Sequence, residues 1–382
     1  MATKEQLSRY LQFLEVDPGN LSLIIASGNM AYELGLFDQA LELAERGLTI
    51  APAHAELKAL RGLVNLSTHH VGLAQSEFEA LISEGQGAPV IRYNLAYCRA
   101  LDGDFEAALA LLDDAEAQYK DIPQMLHLKV AALHHLAKVS EAIDLAQAVI
   151  SQHPDDAVLA GMLSSLHIDN EDYQAAAYYV AVAMKSGNPS ADTYASQGSL
   201  YLIDQDDDQA LSCFEQAIQR KVNNGRAWLG KGLAEMLQNR LPEAQGSFDH
   251  AVKYMPNHLG TWQALIWCCI AQGNWSLAEE YVQKSMAMDD TFSESHGALA
   301  IIQLNKGQVT EAKSSIRRAL KLDPHSFSGQ YAQTKLLEYE GQAEQADKVL
   351  QAVLDTSLMP DQGTLRDVLV NRLIKSSRKA EQ

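Results

Sequence analysis

The chain has 382 residues, 47% of them apolar, 7% aromatic and 21% charged, a balance that buries a core and excludes a disordered or low-complexity polypeptide. Its 30 Lys and Arg against 49 Asp and Glu leave a net charge of −19, which repels a phosphate backbone or an anionic lipid surface, so nucleic acid is not an expected partner. The first residues show no basic stretch followed by an apolar one, and the longest apolar run, Ala175 to Met184, is too short to span a bilayer. Neither a signal peptide nor membrane insertion is expected, and the cytoplasm is the expected location. Cys98, Cys213, Cys268 and Cys269 lack a CxxC or evenly spaced framework and read as reduced, buried thiols.

Residues 4–16 read as a lone helix ahead of Pro18. From residue 21 a period of 34 governs the sequence: Ala40, Ala74, Ala108, Ala142, Ala176, Ala210, Ala244, Ala278, Ala312 and Ala346 fall in register with no insertion or deletion. Twelve residues before each alanine stands a column that is small in seven of ten cases, including Gly28, Gly62, Gly198 and Gly232. A small side chain there lets two helices approach closely. Pro18, Pro52, Pro154, Pro256 and Pro324 share a helix-stopping column, and Gly35, Gly103, Gly273, Gly307 and Gly341 share a turn column between two bouts of helical apolar spacing. Each period therefore predicts a helical hairpin. Residues 363–377 read as a closing helix.

In the seventh period, Trp228, Lys231-Gly232, Ala244, Phe248, Ala251 and Pro256 follow the W-x2-L-G…A-x3-F…P pattern, with Lys in place of Leu. The chain resembles the tetratricopeptide repeat family over about residues 21–360. That resemblance implies an all-α, right-handed superhelical solenoid whose first helices line a concave groove. The expected organisation is an N-terminal capping half-repeat over 1–20, ten tandem units over 21–360 in one undivided array, and a C-terminal capping helix and tail over 361–382.

Several motifs suggest chemistry and fail on closer reading. Gly225 to Lys231 fits the start of a phosphate loop, but Gly232 replaces the required Ser or Thr and the segment belongs to a helix. Asp204 to Asp208 with Glu215 mimics a calcium loop in which Gln209 stands where glycine is needed. His69-His70 and His134-His135 are adjacent on a helix and point about 100° apart, while His127 and His134 lie about 10 Å apart along the axis. No cofactor or metal is expected, and no nucleophile with an orienting base stands out.

With the family geometry, the groove positions decide partner choice. Leu229, Leu233, Met236, Trp267, Ile270, Ile301 and Leu304 form an apolar lane in units seven to nine, with Trp267 where the repeat pattern asks for no tryptophan. In the N-terminal half, Tyr93, Tyr97, His127 and His134 face the groove. Acid concentrates there: Asp102, Asp104, Glu106, Asp113, Asp114, Glu116 and Asp121 crowd the third unit. The expectation is a non-catalytic protein-interaction scaffold or adaptor taking a basic or amphipathic segment, in the manner of chaperones in bacterial secretion or pilus assembly. The alternative is a self-assembling or peptide-sensing receptor whose basic tail, with Leu365, Val368, Leu369 and Leu373 on one face, switches the coil between open and closed.

Overall fold

The computed structural model describes residues 3–113, 123–359 and 363–371. A single helix, Lys4–Val16, is followed by ten hairpins. Their first helices are Leu21–Glu33, Ala55–Ser67, Pro89–Leu101, Pro123–His135, Ala157–Asp169, Ala191–Ile203, Gly225–Leu237, Leu259–Ala271, Ser293–Asn305 and Phe327–Tyr339, so the 34-residue phase of the sequence is the phase of the structure. The second helices are Phe37–Ile50, Val71–Ser83, Phe105–Asp113, Val139–Ile150, Tyr173–Met184, Asp207–Arg220, Leu241–Tyr254, Trp275–Met288, Val309–Leu322 and Ala343–Leu354. Gly225 to Lys231 opens a helix capped by Asn224, whose side chain accepts from the Ala227 amide, which is incompatible with a phosphate loop. Likewise Asp206 caps Asp207–Arg220 through the Gln209 amide, making the acidic turn a helix start.

The alanine column packs the hairpins: each of its ten members is 0–4% exposed. In hairpins two, six and seven the small column twelve residues earlier faces a phenylalanine sixteen further on. A Cβ on Gly62 would stand 2.8 Å from Phe78, one on Gly198 2.7 Å from Phe214 and one on Gly232 2.5 Å from Phe248. Where the first member is larger, the residue sixteen on is smaller than phenylalanine, as in Ala96 with Leu112, Val130 with Ala146 and Ile266 with Val282. Polar chemistry repeats with the same phase. Trp228 and Trp262 donate their indole N–H to the carbonyls of Val222 and Pro256 at 2.7 and 2.8 Å, and in the next two hairpins His296 Nε2 and Gln330 Nε2 make the same bond to Asp290 and Pro324 at 2.8 Å.

The turn column extends beyond its glycines. His69, Ala137, Glu171, Gln205 and Asn239 occupy it with φ of 57–64°, beside Gly35, Gly103, Gly273, Gly307 and Gly341 at 71–83°. Left-handed geometry lets the chain end each first helix with paired bonds, such as Gly35 N–H to Tyr32 O and Leu36 N–H to Ala31 O, both 2.9 Å.

Two features lie outside the periodic pattern. The molecule groups into two compact units divided between Glu171 and Asp172. A period counts residues along the chain and says nothing of how many neighbours each hairpin gathers, so it passes through the division unmarked. The closing segment is also not a plain helix: Ser357–Met359 pairs antiparallel with Gly363–Thr364 before a helical turn over 365–371. Gly363 takes a left-handed backbone at φ 78°, and Thr364 N–H and Oγ1 both donate to Asp367 Oδ2 at 2.8 Å, starting the helix. Arg366 anchors it through Asp355 Oδ1 at 2.8 Å. The remainder of the basic tail, including Leu373, lies outside the described residues. None of the described helices is long and apolar enough to cross a membrane.

The turn column yields one prediction: Ala137→Gly or Asn239→Gly removes left-handed strain from a side-chain-bearing residue and raises stability by about 0.5–1 kcal/mol, while Gly273→Ala lowers it by about 1 kcal/mol, both measurable by urea denaturation. The close approach of glycine and phenylalanine yields another. Gly232→Val overpacks against Phe248 at a cost of about 1–3 kcal/mol, and combining it with Phe248→Ala costs at least about 1 kcal/mol less than the sum of the single changes in a double-mutant cycle.

Candidate functional site

The residues singled out from the sequence fall on first helices in both units. In the first unit, Tyr93 and Tyr97 sit one turn apart on Pro89–Leu101 and stack with centroids 6.4 Å apart. Tyr97 is 40% exposed, whereas burial and the neighbouring Tyr97 hydroxyl push the Tyr93 phenol above its usual range. His127 and His134 both lie on Pro123–His135, and each donates Nε2–H to an aspartate of the next first helix, His127 to Asp156 at 2.7 Å and His134 to Asp169 at 2.6 Å. Asp156 also caps that helix through the Leu159 amide at 2.9 Å. The two histidines therefore join neighbouring hairpins rather than each other. Sequence reading missed both aspartates, although they stand 29 and 35 residues downstream, close to one period.

The acid of the third hairpin is partly engaged where it is described. Asp104 caps its helix through the Ala107 amide at 3.1 Å, and Asp113 pairs with Lys129 at 2.8 Å. Asp114, Glu116 and Asp121 lie outside the described residues.

In the second unit the apolar lane is graded rather than uniform. On Gly225–Leu237, Leu229 and Met236 are half-buried against the cluster built on Phe248, Leu265 and Ile266, while Leu233 is 36% exposed. Leu237, absent from the sequence-derived set, is 47% exposed on the same helix. Its spacing of four from Leu233 was the available signal. Ile270 and Leu304 are half-buried in the next cluster.

Two members of the lane need correction. Ile301 is 7% exposed and belongs to the core with Ala300, Ile316 and Leu336, so its side chain is not presented to a partner. Trp267, a tryptophan that the repeat pattern does not ask for, packs the fold: its ring meets Phe327 and Tyr331 with centroids 5.6 Å away, and its Nε1–H donates to Ser328 Oγ at 3.2 Å. The lane folds against itself C-terminal to Trp267 and stays exposed around Leu233 and Leu237.

The thiols point away from nucleophilic chemistry. All four cysteines are free and buried, and burial pushes Cys98 and Cys213 up to about 11 and Cys269 up to about 12, with Cys268 also raised. An activated thiol needs the opposite shift. Among the described residues, no group of three His, Cys, Asp or Glu side chains is placed to hold a metal ion. Because the thiolate form is depleted below the raised values, the native protein at pH 8 should react with a water-soluble disulfide reagent at least about a hundredfold more slowly than the urea-unfolded chain. A rapidly labelled native cysteine would contradict this.

Comparisons with known proteins agree with the repeat geometry. A tetratricopeptide repeat family model matches residues 60–121 and 197–257, and a second model of the same repeat matches residues 293–326. Over 164 residues the chain is 23% identical to cilia- and flagella-associated protein 70 of Homo sapiens, a match spanning 42% of this chain and 14% of that protein's length. Among solved structures, a monomeric mutant of IFIT1 with Gppp-AAAA aligns at a TM-score of 0.55 and 14% identity, covering 87% of this chain and 89% of that one. The human IFIT1 dimer with m7Gppp-AAAA aligns at 0.54 with the same identity and coverage. At such identities the structural likeness speaks for the fold alone. With ten hairpins held in one unbroken 34-residue phase and the family's models matching in both units, the chain carries tetratricopeptide repeats.

Proposed function

We propose that this protein is a non-catalytic scaffold that seats the apolar side of an amphipathic helix on the first-helix face of hairpin seven. Tetratricopeptide repeats mark a protein-interaction scaffold in general, and the finer reading rests on one observation: Leu233 and Leu237 remain 36% and 47% exposed beside half-buried Leu229 and Met236. The four residues follow helical spacing, so they form one continuous apolar strip rather than scattered surface leucines. A matching helix would bury that strip by laying down its own residues at i, i+3, i+4 and i+7.

Charge supports a basic residue at one end of the partner. The C-terminal end of the strip meets the acidic turn of hairpin six, where Gln238 Nε2 donates to Asp208 Oδ1 at 2.9 Å beside Asp204, Asp206 and Asp207. An acidic rim adjoining an apolar strip steers and orients a basic amphipathic segment more than it adds affinity. In the first unit, Tyr97 offers an exposed aromatic face and hydroxyl. We assign it, with Tyr93, His127 and His134, to polar contacts with a partner of that unit.

The test is a pair of proteins, the native chain and Leu233→Asp/Met236→Glu, used to capture partners from the native cell and then titrated by calorimetry with each purified partner. Trp267 is left unchanged because it packs the fold. A partner whose affinity falls by at least about tenfold in the variant, at unchanged helical circular dichroism, supports the strip as the binding surface. Equal affinity for both proteins excludes it.

A further inference from the structure

Hairpins eight to ten break the rule that a repeat touches its sequence neighbours alone. The first helices of hairpins nine and ten approach so closely that a Cβ on Gly297 would overlap the backbone of Ser328 and Gly329. That approach carries Ser328, which is 0% exposed, within reach of hairpin eight. Its hydroxyl accepts from Gln263 Nε2 at 2.8 Å and from Trp267 Nε1 at 3.2 Å, and donates to Glu294 Oε2 at 2.5 Å. One donor and two acceptor positions are the full capacity of a serine hydroxyl, and all three are used.

Each hairpin contributes to this point for a separate reason. Hairpin nine supplies Glu294, whose carboxylate also accepts from Ser326 Oγ at 2.7 Å and from the Ser328 amide at 3.0 Å. A negative charge at the start of Phe327–Tyr339 is favoured by the helix dipole. Hairpin ten supplies Phe327 and Tyr331, which stack on each other at 6.3 Å and flank the Trp267 ring. Hairpin eight supplies Gln263 and Trp267, 65 and 61 residues from Ser328 and hence two repeats away.

In a stack with neighbour contacts alone, a terminal repeat can open by giving up one interface, the one to the repeat before it. We propose that Ser328 is the hub of a clasp tying hairpin eight directly to hairpin ten, so that hairpins eight to ten open as one cooperative block. The clasp stands independently of whether hairpin seven binds a partner.

Native-state hydrogen exchange on the full chain tests it with two mild variants. Gln263→Leu removes the bond to Ser328 and installs the residue that hairpin seven carries at the same position, Leu229. Trp267→Phe keeps an aromatic ring against Phe327 and Tyr331 but removes the indole N–H. Each should speed exchange in Phe327–Tyr339, two hairpins away, by about fivefold and to the same extent as in Leu259–Ala271, with Gly225–Leu237 unchanged. Ser328→Ala, read in the opposite direction, should speed exchange in Leu259–Ala271. Acceleration confined to hairpins eight and nine in the first two variants, with Phe327–Tyr339 at its native rate, overturns the clasp.

Discussion

One methyl group per hairpin sets the depth at which its two helices cross. The alanines from Ala40 to Ala346 are buried in every repeat, and a larger side chain at any of them would force the second helix off the first. Once that depth is fixed, the space beside it is limited, which explains why the phenylalanines Phe78, Phe214 and Phe248 each pack on a glycine, Gly62, Gly198 and Gly232. The shared turn geometry follows from the same constraint. A second helix that must return at constant depth needs the chain to reverse in one way, so all ten turn residues adopt a left-handed backbone although half of them are not glycine.

Periodic constraints of this kind were legible in the sequence, and they sufficed for the ten hairpins and for the glycines of the turn column. Legibility ended where a contact joins positions with no common column. The His127–Asp156 and His134–Asp169 pairs link different columns of adjacent repeats, and Trp267–Ser328 links different columns two repeats apart. Trp267 shows the difficulty most plainly: an unexpected tryptophan signals either a partner or an unexpected neighbour, and the neighbour exists because Gly297 lets two backbones close together. The buried position of Ile301 follows from that closure. Leu233, lacking such a closure next to it, kept the exposure expected of it.

The candidate surfaces of the two units have different chemistry built on the same scaffold. The first unit spends its first-helix positions on histidines held by aspartates and on stacked tyrosines. The second unit presents aliphatic side chains rimmed by an acidic turn. Because the core columns are satisfied by alanine, glycine and apolar residues, the exposed first-helix positions are free to diverge without disturbing the fold.

The bond from Trp228 and Trp262 to a carbonyl six residues earlier persists when the residue becomes His296 or Gln330. What this position conserves is therefore an N–H at a particular reach, not an aromatic ring. The ring is a surplus on the outer rim: Trp228 uses it to stack on His250 at 4.3 Å, and Gln330 has nothing comparable to offer. Greasiness of that rim can thus drift from one hairpin to the next while the joint between consecutive repeats stays tied, so the edge of the array is decoupled, chemically, from the seam that it borders.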